Sequence, residues 1–136
     1  MKKVANYICF KKRHNKESRL YKIEQIANYN LMNNYDYELY VDTVKSSTDI
    51  DSRTEFKRLK EDIKRNNVNR VIISSFSNLS RNPHEISKFM KLLKKHNCEL
   101  ESIKEGIINV DEFDQLILAI DQKLKEEKVR WTMRKK

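Results

Sequence analysis

The sequence predicts an α/β fold: a mostly parallel central sheet flanked by helices, with a long C-terminal helix. Two observations carry this expectation. Short apolar, β-rich runs alternate along the chain with longer segments whose apolar residues recur at helical spacing. Arg70–Phe76 (RVIISSF) is, in addition, a continuous apolar run of the kind buried on both faces of a parallel sheet. The 136 residues suit one domain. Residues 1–110 are expected to form the α/β body and 111–136 the long helix with its basic tail.

Each element has its own signal. Val4–Phe10 is apolar and aromatic and reads as the first strand; Lys11–Glu17 is a polar, basic loop. From Ser18 to about Asn33, Leu20, Ile23, Ala27 and Leu31 recur at helical spacing. Tyr37–Val44 is β-branched and aromatic, a second strand. After the polar stretch Lys45–Asp49, Ser52-Arg53-Thr54-Glu55 matches a capping box, with Phe56, Leu59 and Ile63 as the inner stripe of the helix it opens. Asn82-Pro83-His84-Glu85 starts another helix: Asn82 caps it, and Pro83 sits where a missing N–H costs nothing. Ile86, Phe89, Met90 and Leu93 form its buried face, and Cys98–Ile103 reads as a fourth strand. Asp111 then opens the long helix, with Phe113, Leu116, Ile117, Ile120 and Leu124 on one side.

Composition removes several function classes. Gly106 is the single glycine, so neither a P-loop nor a dinucleotide fingerprint is available, since both need several glycines for backbone amides to approach phosphate. Cys9 and Cys98 lie in strand-like segments and form no CxxC or Cys/His pattern; they read as reduced core thiols. His14, His84 and His96 lack ligand spacing, and no metal or cofactor is expected. The apolar runs are too short for a membrane span, and the start of the chain is too polar for a signal-peptide core. The expected setting is the cytoplasm of a prokaryotic-type cell.

Charge points to a polyanion. The net charge is +9. Residues 123–136 hold seven basic side chains, Lys123, Lys125, Lys128, Arg130, Arg134, Lys135 and Lys136, against Glu126 and Glu127. A basic tail on a basic domain suits DNA or RNA, and a solubilising tail is the plain alternative. Trp131 could stack on sugar or base among those cations. In an α/β sheet, ligands sit at the carboxyl ends of the strands. That directs attention to three polar, basic loops: Lys11–Glu17, Lys45–Arg53 and Ser77–Asn82.

The motifs around these loops resemble, in order, those of the serine recombinases of the resolvase/invertase type, especially the large-recombinase branch. Tyr7-Ile8-Cys9-Phe10-Lys11 is similar to the family's Tyr-x-Arg-x-Ser strand end. Asp42–Phe56 (DTVKSSTDIDSRTEF) resembles its acidic strand end, polar loop and arginine leading into a helix. Phe76–Glu85 (FSNLSRNPHE) resembles its Leu-Asp/Ser-Arg-Leu-Ser-Arg-Asn-x-x-Glu segment, and Leu100–Ile107 (LESIKEGI) the strand and Glu-Gly-Ile that follow. Asp111–Arg130 stands where the family has its dimerisation helix.

In that family a serine hydroxyl attacks the scissile phosphodiester, and arginines surround the negative transition state because guanidinium matches phosphate oxygens in pairs. The resemblance implies the same set here, incompletely filled. Arg53 and Arg81 match two of the arginines. Cys9 replaces a third, Asn78 a fourth, and Lys11 the nucleophile, while Ser77 stands at the Asp/Ser position. An ammonium has no lone pair with which to attack. The resemblance therefore implies a pseudoenzyme of a mobile-DNA recombinase, its phosphate contacts made by Lys11, Arg53, Arg81, Asn78 and Ser80 with the basic tail. DNA is the expected partner. A homodimer, or association with a related recombinase, is expected through Phe113, Ile117, Ile120 and Leu124.

Two rivals remain open. An active recombinase fragment would use a displaced nucleophile such as Ser18, whose plain reading is a helix N-cap or surface hydroxyl. A protein-interaction module would keep the fold without binding DNA. No helix-turn-helix or zinc ribbon follows Lys136, so sequence-specific major-groove readout is not expected.

Overall fold

The computed structural model of the protein describes residues 3–12, 14–44 and 53–108, together with 112 and 122. In chain order the elements are β1 (Lys3–Lys11), α1 (Lys16–Met32), β2 (Tyr37–Val44), α2 (Thr54–Lys64), β3 (Val68–Ile73), α3 (Phe76–Leu79), α4 (Pro83–Lys95), β4 (Glu99–Ser102) and β5 (Gly106–Ile108). They build a five-stranded sheet in the order β2-β1-β3-β4-β5. β1 pairs in parallel with both β2 and β3, β3 pairs in parallel with β4, and only β4–β5 is antiparallel. The mostly parallel α/β sheet that the strand–helix alternation predicts is the observed one.

Strand alternation sorts the core into two layers. Ala5, Tyr7 and Cys9 of β1 point into the larger one with Phe56, Leu59 and Ile63 of α2 and Ile86, Phe89, Met90 and Leu93 of α4. Ile8 and Phe10 point the other way, against Ile26 of α1, with Ile23, Leu39, Val41 and Ile103 beside them. Both faces of β1 are thus covered, as the near-continuous apolar run requires.

With one glycine in the chain, three helices end on asparagine instead. Asn34, Asn66 and Asn97 follow α1, α2 and α4 in the left-handed region, with φ of 56°, 59° and 52°. The Schellman pattern repeats at each. After α2, the Asn66 amide donates to the Ile63 carbonyl and the Asn67 amide to that of Asp62, both at 3.0 Å. Asparagine tolerates this conformation better than other residues with a Cβ.

Four local expectations are corrected. α1 starts at Lys16, not Ser18: Asn15 is its N-cap, its side chain accepting from the Ser18 amide at 2.8 Å, so Ser18 is not the cap. Its buried face centres on Ile26 and Asn30, while Leu20 and Leu31 are 51% and 75% exposed. The burial of Asn30 has a cause outside the helix. Asn6 and Asn30 exchange two amide hydrogen bonds at 3.0 Å inside the core, satisfying groups that would otherwise be costly to bury. The N-cap position of α2 falls on Arg53, one residue beyond the expected Ser52. The Glu55 amide donates to Asp42 of β2, and Ser52 lies outside the described residues. Finally, β3 ends at Ile73, and Phe76 begins the short α3 instead of closing the strand.

The antiparallel β5 has no counterpart among the expected strands; Gly106, at φ +93°, supplies its turn. Of the long C-terminal helix, Phe113, Ile117, Ile120, Leu124, Lys123, Lys128, Arg130, Trp131, Arg134, Lys135 and Lys136 lie outside the described residues. No described helix is long and apolar enough to cross a membrane.

Candidate anion-binding cleft at the carboxyl ends of the strands

Strand order reverses at β1: the connection through α1 leads to β2 on one side, and the connection through α2 leads to β3 on the other. Such a switch point leaves a crevice beyond the strand ends. Here it is a cleft of about 780 Å³. Lys11 from the end of β1, Arg53 from the start of α2, and Ser77, Asn78, Ser80 and Arg81 from the segment after β3 all line it. Described residues from each of the three stretches singled out in the sequence, Lys11, Arg53 and Ser77 to Asn82, therefore share one cleft. Ser18 is not among the lining residues; it sits half-buried in the first turn of α1.

Asp42 organises one wall. This carboxylate at the end of β2 is buried, and it accepts from the Tyr7 hydroxyl at 2.8 Å and from the amides of Glu55 and Phe56 at 2.9 Å each. One side chain thus caps α2 and holds a phenol on β1. An anionic cap also complements the positive end of the helix. Arg53, at the N-cap position, is fixed in turn: its Nη1 donates to the Leu79 carbonyl at 2.7 Å and approaches the Tyr7 oxygen at 3.5 Å. Its Nε is buried without a partner among the described residues.

Asn78 closes the floor. Its amide accepts from the Cys9 N–H at 3.0 Å and donates to the Cys9 carbonyl at 2.9 Å, clamping α3 to the end of β1 across 69 positions of sequence. At least one face of this amide is thus taken up by backbone. Ser80 is buried and similarly occupied, donating to Glu85 at 2.7 Å and accepting from the Asn82 amide at 3.0 Å. Arg81 is exposed. Asn82 caps α4 as expected, its side chain accepting from the His84 amide at 3.0 Å.

Protonation follows from burial. The Cys9 thiol is pushed up chiefly by desolvation, against a smaller opposing pull from the Arg53 guanidinium. It remains a thiol at neutral pH and makes a poor nucleophile. Tyr7 is also raised, first by burial, and stays a donor to Asp42. Among the described residues no three His, Cys, Asp or Glu side chains gather where a metal ion could bind.

Beyond the three loops, sequence reasoning missed several lining residues: Lys22 and Gln25, Ser74 and Ser75, and Lys104. Only the fold brings them to the cleft. The helical periodicity of α1 alone could have pointed to Lys22, one turn before Ile26.

Comparison with known proteins agrees with this architecture. Residues 11–135 match the family described as "Resolvase, N terminal domain". The N-terminal catalytic domain of TP901-1 integrase superposes with a TM-score of 0.70 at 18% identity, covering 93% of this chain and 97% of that one. A resolvase family site-specific recombinase from Streptococcus pneumoniae gives 0.62 at 20% identity, covering 99% and 95%. The C-terminal catalytic domain of ISC1926 TnpA, an IS607-like serine recombinase, gives 0.62 at 19% identity, covering 74% and 70%. No curated protein matches the chain in sequence. At these identities the structural likeness speaks to fold alone.

Proposed function

The chain belongs to the resolvase family of serine recombinases, and from that premise we propose that it serves site-specific DNA recombination as a phosphate-binding, catalytically silent domain. One observation carries the reading. Lys11, Arg53 and Arg81 line one cleft at the carboxyl edge of the sheet, while the side chain at the end of β1 is an amine in place of a hydroxyl. The cations suit a phosphodiester, with guanidinium offering paired donors and the lysine a point charge.

Chemistry beyond binding lacks its parts. Cleavage by this family's route requires an oxygen nucleophile at the end of β1 and charge stabilisation around the phosphorane. Lys11 supplies no hydroxyl, the Cys9 thiol is held protonated, and the Asn78 amide is engaged by backbone. The basic residues Lys123–Lys136 would add sequence-independent contacts. Association with a second copy or a related recombinase belongs to the same reading, on the apolar stripe Phe113, Ile117, Ile120 and Leu124 of the sequence.

The test has two readouts on the full chain. Retention on nonspecific duplex DNA is expected to fall steeply with salt. Incubation with DNA followed by SDS denaturation is expected to leave no protein-linked strand. A covalent complex would overturn the silent assignment, and no retention at low salt would overturn the DNA assignment.

A further inference from the structure

We infer that Lys22 and Lys104 form a second phosphate subsite across the sheet edge from Arg53 and Arg81, so that the cleft takes a nucleic-acid strand through consecutive phosphates. The inference rests on the DNA-binding reading above and adds a specific footprint to it.

The cations come from both helical layers and from the sheet edge. Arg53 starts α2 and Arg81 precedes α4, the helices that cover the Tyr7–Cys9 face of the sheet. Lys22 lies one helical turn before Ile26, which packs against Ile8 and Phe10 on the other face. Lys104 belongs to the β4–β5 turn. Its amide donates to the Ser74 carbonyl at 3.1 Å, and that of Ile103 to Ile73 at 2.9 Å, so the turn is pinned to the end of β3. Both lysines line the same cleft as the arginines, with Lys11 at the strand end between the layers.

Charge and size then define the ligand. Among the described residues five cationic side chains line the cleft, Lys11, Lys22, Arg53, Arg81 and Lys104, with the Glu85 carboxylate beside them and Asp42 buried behind the wall. The Glu85 carboxylate already accepts the Ser80 hydroxyl. Among the described residues neither Lys22 nor Lys104 is in an ion pair, whereas Lys3 and Lys64 elsewhere lie beside Glu38 and Glu61. Cations gathered in excess over the described carboxylates repel one another, and a bound polyanion relieves that repulsion. A volume of about 780 Å³ lies in the range that holds a ligand of several groups, well beyond one phosphate.

The experiment is the salt dependence of binding of the full chain to a short duplex oligonucleotide. Each lost phosphate contact flattens the plot of log affinity against log salt by about 0.9. Lys22→Gln/Lys104→Gln is expected to lower affinity and flatten the slope by about 1–2, with thermal unfolding unchanged. Lys22→Arg/Lys104→Arg is expected to keep the wild-type slope, which a merely structural defect would not allow. Wild-type binding with an unaltered slope in the glutamine variant overturns the second subsite and leaves the DNA reading standing. Failure of the wild-type chain to bind at all removes both.

Discussion

The Tyr7 hydroxyl donates to Asp42 at 2.8 Å, and the same carboxylate accepts from the Glu55 and Phe56 amides in the first turn of α2. A strand, a helix start and the cleft wall therefore share one acidic side chain. Replacing Asp42 by alanine orphans a buried phenol and two helix amides together. The loss of a cap and of a buried acceptor predicts destabilisation of about 2–4 kcal/mol. Asp42→Asn keeps one acceptor oxygen and is expected to cost roughly half of that. Urea unfolding of the two variants checks the order; an alanine variant as stable as wild type would show that the amides find other partners.

That junction also marks how far the sequence is legible. Strands such as Tyr37–Val44 and the inner faces of α2 and α4 follow from local pattern, because burial there obeys one period. The convergence of Lys11, Arg53 and Arg81 follows from the rule about strand ends. What local pattern misses is satisfaction at a distance. Asp42 caps a helix from another element, so Ser52-x-x-Glu55 looks sufficient when read alone. Asn30 is fully buried because Asn6 answers it 24 positions away, which draws the buried face of α1 off the Leu20–Leu31 line. Lys22 and Lys104 are ordinary surface lysines until the sheet edge brings them together.

The asparagines that close α1, α2 and α4 give a stabilising prediction. Each holds a positive φ that glycine adopts without strain. Asn34→Gly, Asn66→Gly and Asn97→Gly combined are expected to raise stability by about 1–2 kcal/mol, less than the full relief because glycine also loosens the unfolded chain. All three sites are exposed, so packing should not confuse the result. A lower thermal midpoint in the triple variant would show that the asparagine side chains contribute contacts of their own.

Alkaline pH should weaken the fold. The Tyr29 hydroxyl donates to the buried Glu101 carboxylate, and burial first, then that hydrogen bond, pushes its pKa up to about 12. Tyr7 and Tyr40 are raised as well, again chiefly by burial. A phenol with a raised folded-state pKa binds its proton more tightly in the native state. Its contribution is complete below the unfolded value of about 10 and is lost as pH rises through about 12. Thermal midpoints measured from pH 9 upward should hold steady and then fall across that window. Tyr29→Phe should shed part of the fall; an unchanged profile would assign it to Tyr7 and Tyr40 instead.

Restoring the missing serine should not by itself restore strand cleavage. Lys11→Ser puts a hydroxyl at the end of β1, yet Cys9 and Asn78 still stand where the resemblance implies arginines, and the attack would build a phosphorane with half its cationic cage. Each absent charge-stabilising group costs a factor of about 10²–10³ in rate in comparable oxyanion sites. Lys11→Ser is therefore expected to yield no SDS-resistant DNA adduct. Asn78→Arg faces a separate obstacle, because the Asn78 amide holds both backbone groups of Cys9. An arginine there frees a strand-end N–H and C=O and should cost about 1–3 kcal/mol before any gain in catalysis. Silence would thus be embedded in the packing of α3 on β1 as well as in the lost nucleophile. An adduct formed by Lys11→Ser alone would show that Arg53 and Arg81 are sufficient, and that the lysine is the only block to cleavage.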